Sequence, residues 1–243
     1  MKEYEDRSSI RLLPLIPTLI RLDGRSFHNF TKGLDRPYDE RLRLCMVETM
    51  KKLVSETNAR CGYTQSDEIT LLLHSDDAKS MIWFDGKHSK MVSQSAALAT
   101  LYFNQEVQKH LPDYLERNPT FDSRCWQVPT KEEAANAFLW REMDATRNSI
   151  SMAAHAEFST RELHGKSASE KQDMLIEKGI NWNDYPADSK GVSIAKEFLW
   201  NRNSRPQNLS NFLRSTRRDK TRFDCEEIAS VGTLPSHPVS SRQ

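Results

Sequence analysis

The chain carries almost no excess charge, no long apolar run, no clustered cysteines and no glycine-rich phosphate loop. Each absence removes a class of protein. Its 35 Lys+Arg against 34 Asp+Glu leave +1 at pH 7, so no global polycation draws it to nucleic acid, and any such binding must come from local patches. No apolar stretch approaches the ~20 residues of a membrane span, and the polar, acidic opening at residues 1–7 has no secretory character. Cys45, Cys61, Cys125 and Cys225 lie far apart without CxxC spacing, which argues against a zinc ribbon or a disulfide scaffold and fits a reducing cytosol. A soluble, cytoplasmic protein is expected. Neither GxxxxGK(S/T) nor GxGxxG occurs, which removes the P-loop and the dinucleotide fingerprint.

What remains is an ordinary globular composition, 37% hydrophobic and 28% charged over 243 residues. That suffices for one sizeable core, or a core plus a helical appendage. Residues 18–22 read as a strand. Asp35-Arg36-Pro37-Tyr38-Asp39-Glu40 reads as a helix start, with a proline in the first turn and acids at the positive end of the dipole. Leu42, Cys45, Met46, Thr49, Met50, Leu53 and Val54 then recur at i, i+3, i+4 spacing. A hairpin follows: residues 60–64, a turn carrying Ser66-Asp67-Glu68, and the apolar run 69–73, read as a strand buried on both faces. A second helix is expected over 89–110, with Met91, Ser95, Leu98, Ala99, Tyr102 and Phe103 as its stripe, and a fourth strand over 123–128, ended by Pro129.

The order β-α-β-β-α-β is the split-βαβ, ferredoxin-like arrangement. It predicts an α+β fold in which a four-stranded antiparallel sheet carries two helices on one face and leaves the other open, as in a polymerase palm, over residues 1–129. Residues 130–228 are expected to form a mainly helical part packed on that palm. It opens on the capping-box pattern Thr130-Lys131-Glu132-Glu133, is interrupted by polar residues at 144–149, and resumes as a helix over 169–178. Residues 229–243 lack periodicity and are expected to be disordered.

Two acidic motifs carry the chemistry: Arg21-Leu22-Asp23-Gly24 at the end of the first strand, and Gln65-Ser66-Asp67-Glu68 in the hairpin turn. Alone, either reads as an ordinary turn. The element order sets both at one edge of one sheet, where hard carboxylate oxygens can hold two Mg²⁺ ions about 3.5–4 Å apart for phosphoryl transfer. Asp23 and Asp67 are the expected ligands, and Gly24 can add a main-chain carbonyl. Glu68 is either a ligand or a hydrogen-bonding support for one, and Ser66 abuts the same site. Arg21, Arg25, Lys32, Arg36, Lys87 and Lys90 are candidate phosphate neutralisers, with solvated surface charge as the alternative for each. Arg36 gains from the helix N-terminus beside it. His28, between Phe27 and Phe30, is either a proton shuttle or base-stacking group, or a partly buried structural residue. Arg147 and Asn148 either reach a triphosphate or base, or belong to a helix end capped by the asparagine.

Ile20-Arg-Leu-Asp-Gly-Arg-Ser-Phe-His28, Arg36-Pro-Tyr-Asp-Glu40, Tyr63-Thr-Gln-Ser-Asp-Glu68, Trp140-Arg-Glu-Met-Asp-Ala-Thr-Arg-Asn-Ser-Ile150 and Leu163-His-Gly165 resemble, in order, the tRNA-His guanylyltransferase family. The resemblance implies a nucleotidyltransferase running in reverse: a 3′-to-5′ RNA polymerase with a palm, two Mg²⁺ ions, tRNA as partner, and ATP with GTP or other NTPs as substrates. On it, Asp23, Gly24 and Asp67 take the metal roles with Glu68 beside them as the third catalytic carboxylate. Arg21, His28, Arg36, Ser66 and Lys90 fall where the family handles the activated 5′ end or the incoming triphosphate. The Arg-rich stretch with Arg214, Arg217, Arg218 and Lys220 is the expected tRNA contact. With so little net charge, tRNA affinity calls for the patches of several protomers, hence a homo-dimer or tetramer. Where members that add G to tRNA-His carry His-Ile-Asn-Asn, this chain has Thr146-Arg147-Asn148-Ser149. That resembles the branch that repairs truncated tRNAs by template-dependent addition. A tRNA-His-specific guanylyltransferase is the alternative, ahead of a nucleotidyl cyclase or a non-catalytic tRNA-binding module.

Overall fold

In the computed structural model the chain runs α1 (Lys2–Arg7), β1 (Thr18–Gly24), α2 (Phe27–Phe30), α3 (Glu40–Glu56), β2 (Cys61–Gln65), β3 (Glu68–Leu73), α4 (His88–His110), β4 (Phe121–Gln127), α5 (Lys131–Glu157), α6 (Thr160–Leu163), α7 (Ala168–Glu177) and β5 (Val192–Ala195). The structure describes residues 1–7, 9–185 and 191–195; Arg214, Arg217, Arg218, Lys220 and the expected tail lie outside them. The strands form one antiparallel sheet in the order β4-β1-β3-β2-β5. Its first four strands are the predicted ferredoxin-like sheet. The fifth is an addition: β5 pairs along the outer edge of β2, from Thr64↔Val192 to Cys61↔Ala195.

Helix α3 begins one turn later than the proline suggested. Pro37 precedes the helix, and Asp39 is the N-cap, its carboxylate accepting from the amides of Arg41 at 2.9 Å and Leu42 at 3.2 Å. The proline fixes the approach of the chain while the aspartate satisfies the free amides. From there the predicted stripe holds: Met46, Met50 and Leu53 of α3, with Met91, Ala99 and Phe103 of α4, bury Ile20 and Leu22 of β1 and Ile69 and Leu71 of β3.

The second face of the sheet is not open. Helix α5 crosses it, packing Ala134, Phe138 and Ala145 on Leu19, Tyr63 and Leu72. Thr130 starts the helix, its hydroxyl accepting from the Glu133 amide at 3.2 Å. The expected interruption at 144–149 does not occur, and α5 runs unbroken for 27 residues. Arg147 and Asn148 face solvent while Ala145 and Ser149 are buried, so this stretch is polar on its outer side rather than non-helical. Beyond it, Ile150, Ala153 and Ala154 form a small core with Leu163, Leu175 and Trp182. No helix of the described residues is long and apolar enough to cross a membrane.

Candidate active site

The pleat decides which side chains meet. Because Ile20 and Leu22 enter the α3–α4 core, Leu19, Arg21 and Asp23 go to the α5 face. Asp23 stands opposite Glu68 on β3 and Asp122 on β4, so three carboxylates form a row across three strands. Like charges directly opposite are destabilising, and arginines answer them. Arg124 comes within 3.8 Å of Asp23 and 3.9 Å of Asp122. Glu68 is gripped more firmly: Arg141 of α5 donates from Nε to Oε1 at 2.7 Å and from Nη2 to Oε2 at 2.8 Å. Arg21 Nε lies 3.3 Å from the same Oε1. The Arg21 guanidinium is flanked by two indoles, with its centre 5.3 Å from the Trp126 ring and 5.5 Å from that of Trp140.

Asp67 is set differently. With Ser66 it makes the two-residue turn between the paired Gln65 and Glu68. Ser66 takes a left-handed φ of 53°, a conformation that favours glycine, and its hydroxyl donates to Asp67 Oδ1 at 3.0 Å. The Gly24 amide donates to the Asp67 carbonyl at 3.1 Å, which pins the turn to the end of β1. Residue 24 admits no side chain, since a Cβ there would lie 2.2 Å from the Phe27 ring. Burial pushes the Asp67 carboxyl above the usual aspartate range, and the neighbouring Asp23 and Glu68 charges push the same way.

A half-buried carboxylate crowded by other anions is a place for a cation. The residues present fit Mg²⁺: the carboxylates of Asp23 and Asp67 and the main-chain carbonyl of Gly24, next to Asp23 and bonded through its amide to Asp67, are hard oxygen donors. Among the described residues no three His, Cys, Asp or Glu side chains converge into a ready-made cage. On the other side of the turn, sharing Ser66 with it, opens a cleft of about 490 Å³ whose walls include Thr31, Arg36, Tyr38, Met152 and His155. That is the size of a small-molecule site.

The remaining expected residues divide. Arg36 is exposed at the cleft, and Arg25 and His28 are exposed just beyond Asp23, with Phe27 and Phe30 buried beneath. Lys87 and Lys90 are not brought to the carboxylates. The N-terminus of α4 is held where His88 Nε2 meets the Cys125 carbonyl at 3.1 Å, three residues along β4 from Asp122. Arg147 and Asn148 lie on the outer side of α5, where Asn148 donates to Asp144 at 3.3 Å.

Three further residues were not expected. Arg141 was legible in principle: it falls three after Phe138 and four before Ala145, on the inward stripe of α5. Asp122 was missed because the fourth strand was started two residues too late, at 123 rather than Phe121. Ser149 is fully buried; its Oγ lies 2.6 Å from the Tyr38 hydroxyl and accepts from Trp182 Nε1 at 3.0 Å. It thereby ties α5 to a wall of the cleft.

Known proteins resemble this chain in sequence and fold. The family model of tRNAHis guanylyltransferase matches residues 1–129. A bacterial tRNA-His guanylyltransferase-like protein in complex with ATP has a TM-score of 0.77 and 39% identity, over 85% of this chain and 89% of its own. The tRNA(His) guanylyltransferase of Schizosaccharomyces pombe is 31% identical over 208 residues, 80% of this chain and 77% of its own. The crystal structure of tRNA(His) guanylyltransferase from Saccharomyces cerevisiae has a TM-score of 0.69 and 25% identity, over 80% of this chain and 92% of its own.

Proposed function

The chain belongs to the tRNAHis guanylyltransferase family, whose members are nucleotidyltransferases, and from that premise we propose that it adds nucleotides to the 5′ end of tRNA in the 3′-to-5′ direction, repairing truncated ends with the opposite acceptor strand as template. The observation that carries this reading is the pinned pair of Asp23 and Asp67, adjoining a nucleotide-sized cleft through Ser66.

In this reaction the 3′-hydroxyl of an incoming NTP attacks the 5′ phosphorus of an activated RNA end. The new P–O bond forms as the bond to the leaving group breaks, releasing pyrophosphate from a 5′-triphosphate or AMP from a 5′ end adenylylated with ATP. The hydroxyl proton passes to solvent. Asp23, Asp67 and the Gly24 carbonyl would hold two Mg²⁺ ions, which when bound lower the pKa of the attacking hydroxyl and offset charge on the leaving group. Ser66 fixes the rotamer of Asp67. Arg36 lies at the cleft with its charge free for phosphate, and Arg21 faces the carboxylate row as a fixed cation. Alignment is the main task in such a transfer, because misplacing the attacking atom by 1 Å can cost about 10²-fold in rate.

Two observations favour templated addition over a tRNA-His-specific activity. Thr146-Arg147-Asn148-Ser149 stands where the specific enzymes carry His-Ile-Asn-Asn, and its Ser149 is committed to Tyr38 and Trp182. The chain is also 39% identical to the bacterial guanylyltransferase-like protein against 25% to the yeast enzyme. A mispair would displace the attacking hydroxyl, so base pairing can select the nucleotide. The net charge of +1 further favours an oligomer that pools basic patches on one tRNA.

The test uses a tRNA lacking its first nucleotide, with Mg²⁺, ATP and all four NTPs. Changing the base opposite the gap should change the product, C selecting G and A selecting U. Constant addition of G would assign the chain to the tRNA-His-specific activity, and no 5′ extension of any truncated tRNA would sink the polymerase reading.

A further inference from the structure

We infer that Arg141 is a positioning residue for the reaction: it takes Glu68 away from metal ligation and, through it, fixes Arg21 beside the carboxylate row. This rests on the proposed nucleotidyl transfer only for what the held arginine does, not for the clamp itself.

Glu68 follows Asp67 directly and stands opposite Asp23, the place where a third metal ligand would be sought. Both its oxygens are already used. Arg141 meets them as a planar fork, 2.7 Å to one and 2.8 Å to the other, and the pair is nearly closed to water, with side-chain exposures of 12% and 16%. A bidentate guanidinium–carboxylate pair is shorter, stronger and more directional than a point-charge contact. Turning Glu68 toward a cation would strand Arg141 in a half-polar crevice beside Trp140, 4.8 Å from that ring, and would remove the ion pair, 3.3 Å from Arg21 Nε to Glu68 Oε1, that holds Arg21 without a hydrogen bond. Breaking such a buried pair is costly because it leaves uncompensated charge.

The anchor of this clamp is α5, and Arg141 holds its own place through Asp144 at 3.1 Å. Arg141 lies beyond residues 1–129, which the family model matches, so a helix outside that stretch sets the geometry inside it. Asp67, by contrast, has its pinned backbone and no such fork. The two adjacent acids therefore have separate jobs: Asp67 holds cation, and Glu68 holds arginine.

The experiment compares E68Q, R141Q, R141K and D67N. Mn²⁺ binding, read by electron paramagnetic resonance without any RNA, should be retained by E68Q and R141Q and lost by D67N. Metal-free melting should fall by roughly 6–12 °C in E68Q and R141Q, as expected for one broken buried pair in a chain of this size, and should rise in D67N. In the addition assay R141Q should raise the KM for NTP about tenfold with a smaller change in kcat. R141K should recover melting temperature more than KM, since lysine supplies charge without the fork. E68Q combined with R141Q should be little worse than either alone, because the two act as a unit. Loss of Mn²⁺ binding in E68Q equal to that in D67N, or strictly additive effects of E68Q and R141Q, would overturn the inference. Absence of any addition activity would remove the proposed function while leaving the binding and melting arms to decide the clamp.

Discussion

The two faces of the sheet are built from the same strands and differ in almost everything else. Toward α3 and α4, β1 and β3 present Ile20, Leu22, Ile69 and Leu71, all fully buried among methionines and phenylalanines. Toward α5, the alternate residues are Leu19, Arg21 and Asp23 on β1 and Glu68, Thr70 and Leu72 on β3. That face begins as a small apolar core at Leu19 and Leu72 and ends as a row of charges at Asp23 and Glu68. Non-directional burial stabilises the first face; directional pairs of arginine and carboxylate organise the second. One face can therefore specify the fold while the other stores the electrostatic tension that a cation relieves.

Removing Asp67 or Asp23 should break that division most visibly. Asp67→Asn and Asp23→Asn each should slow nucleotide addition by on the order of 10³-fold, several kcal/mol of lost charge stabilisation, as read in single-turnover assays, while the protein stays folded. Stability should move the opposite way at Asp67. Its carboxyl is raised in the fold by burial, so its contribution is fully present below the ordinary aspartate value and is lost as pH rises through the raised one. In metal-free melts Asp67→Asn should therefore gain stability relative to the wild type as pH rises across the carboxylate range, against the opposite trend that the lowered carboxyls of Asp39, Asp76 and Glu106 give both proteins. An unchanged pH profile in that variant would remove the desolvated carboxylate from the account.

The opposite face gives the converse experiment. Leu71 is fully buried, and Leu71→Ala should cost about 2–5 kcal/mol by urea denaturation. The addition rate per folded molecule should stay near wild type, since Leu71 lies on the face of the sheet turned away from the carboxylate row. A large fall in that rate with intact fold would mean that the two faces are coupled through the sheet.

This asymmetry also explains what could be read beforehand. Periodic apolar residues made α3, α4 and the four palm strands visible, and the same strands located Asp23 at a strand end and Asp67 in a turn. Where burial is polar, periodicity falls silent. Arg141 and Ser149 lie on the inward side of α5; Ser149 fell in the stretch 144–149 that read as a gap in the helix, and Arg141, just before it, was passed over as a polar residue. The pairing of Glu68 with Arg141 joins residues 73 positions apart, and β5 reaches the β2 edge from farther still. Neither leaves a local trace. Lys90 was expected near the site from its charge and from the family resemblance, whereas α4 starts beside Cys125, three residues along β4 from Asp122.

Ser149 offers a smaller test of how α5 is seated. Ser149→Ala leaves the Trp182 indole N–H and the Tyr38 hydroxyl without Oγ, in a fully buried spot, so it should cost about 1–3 kcal/mol. Tyr38→Phe breaks the same link from the other end, and the two together should cost less than their sum. Additive costs in denaturant titrations would show that Tyr38 and Ser149 do not share one network.

The smallest effect is expected one turn away on the other side of the same helix. Arg147 is exposed, and its only hydrogen bond among those resolved is a long one, 3.5 Å, to the Met143 carbonyl of its own helix. Nothing in the fold depends on it, so Arg147→Ala should leave stability within about 0.5 kcal/mol. Its charge points outward beside exposed Trp140 and Met143, a surface suited to a phosphate backbone rather than to the cleft. If it meets RNA there, the variant should bind tRNA more weakly whatever the sequence, and the slope of log affinity against log salt should shrink by about 1. The KM for NTP should stay unchanged. A raised KM for NTP with an unchanged salt slope would instead move Arg147 to the triphosphate, and would mean that the helix presents chemistry on both of its sides.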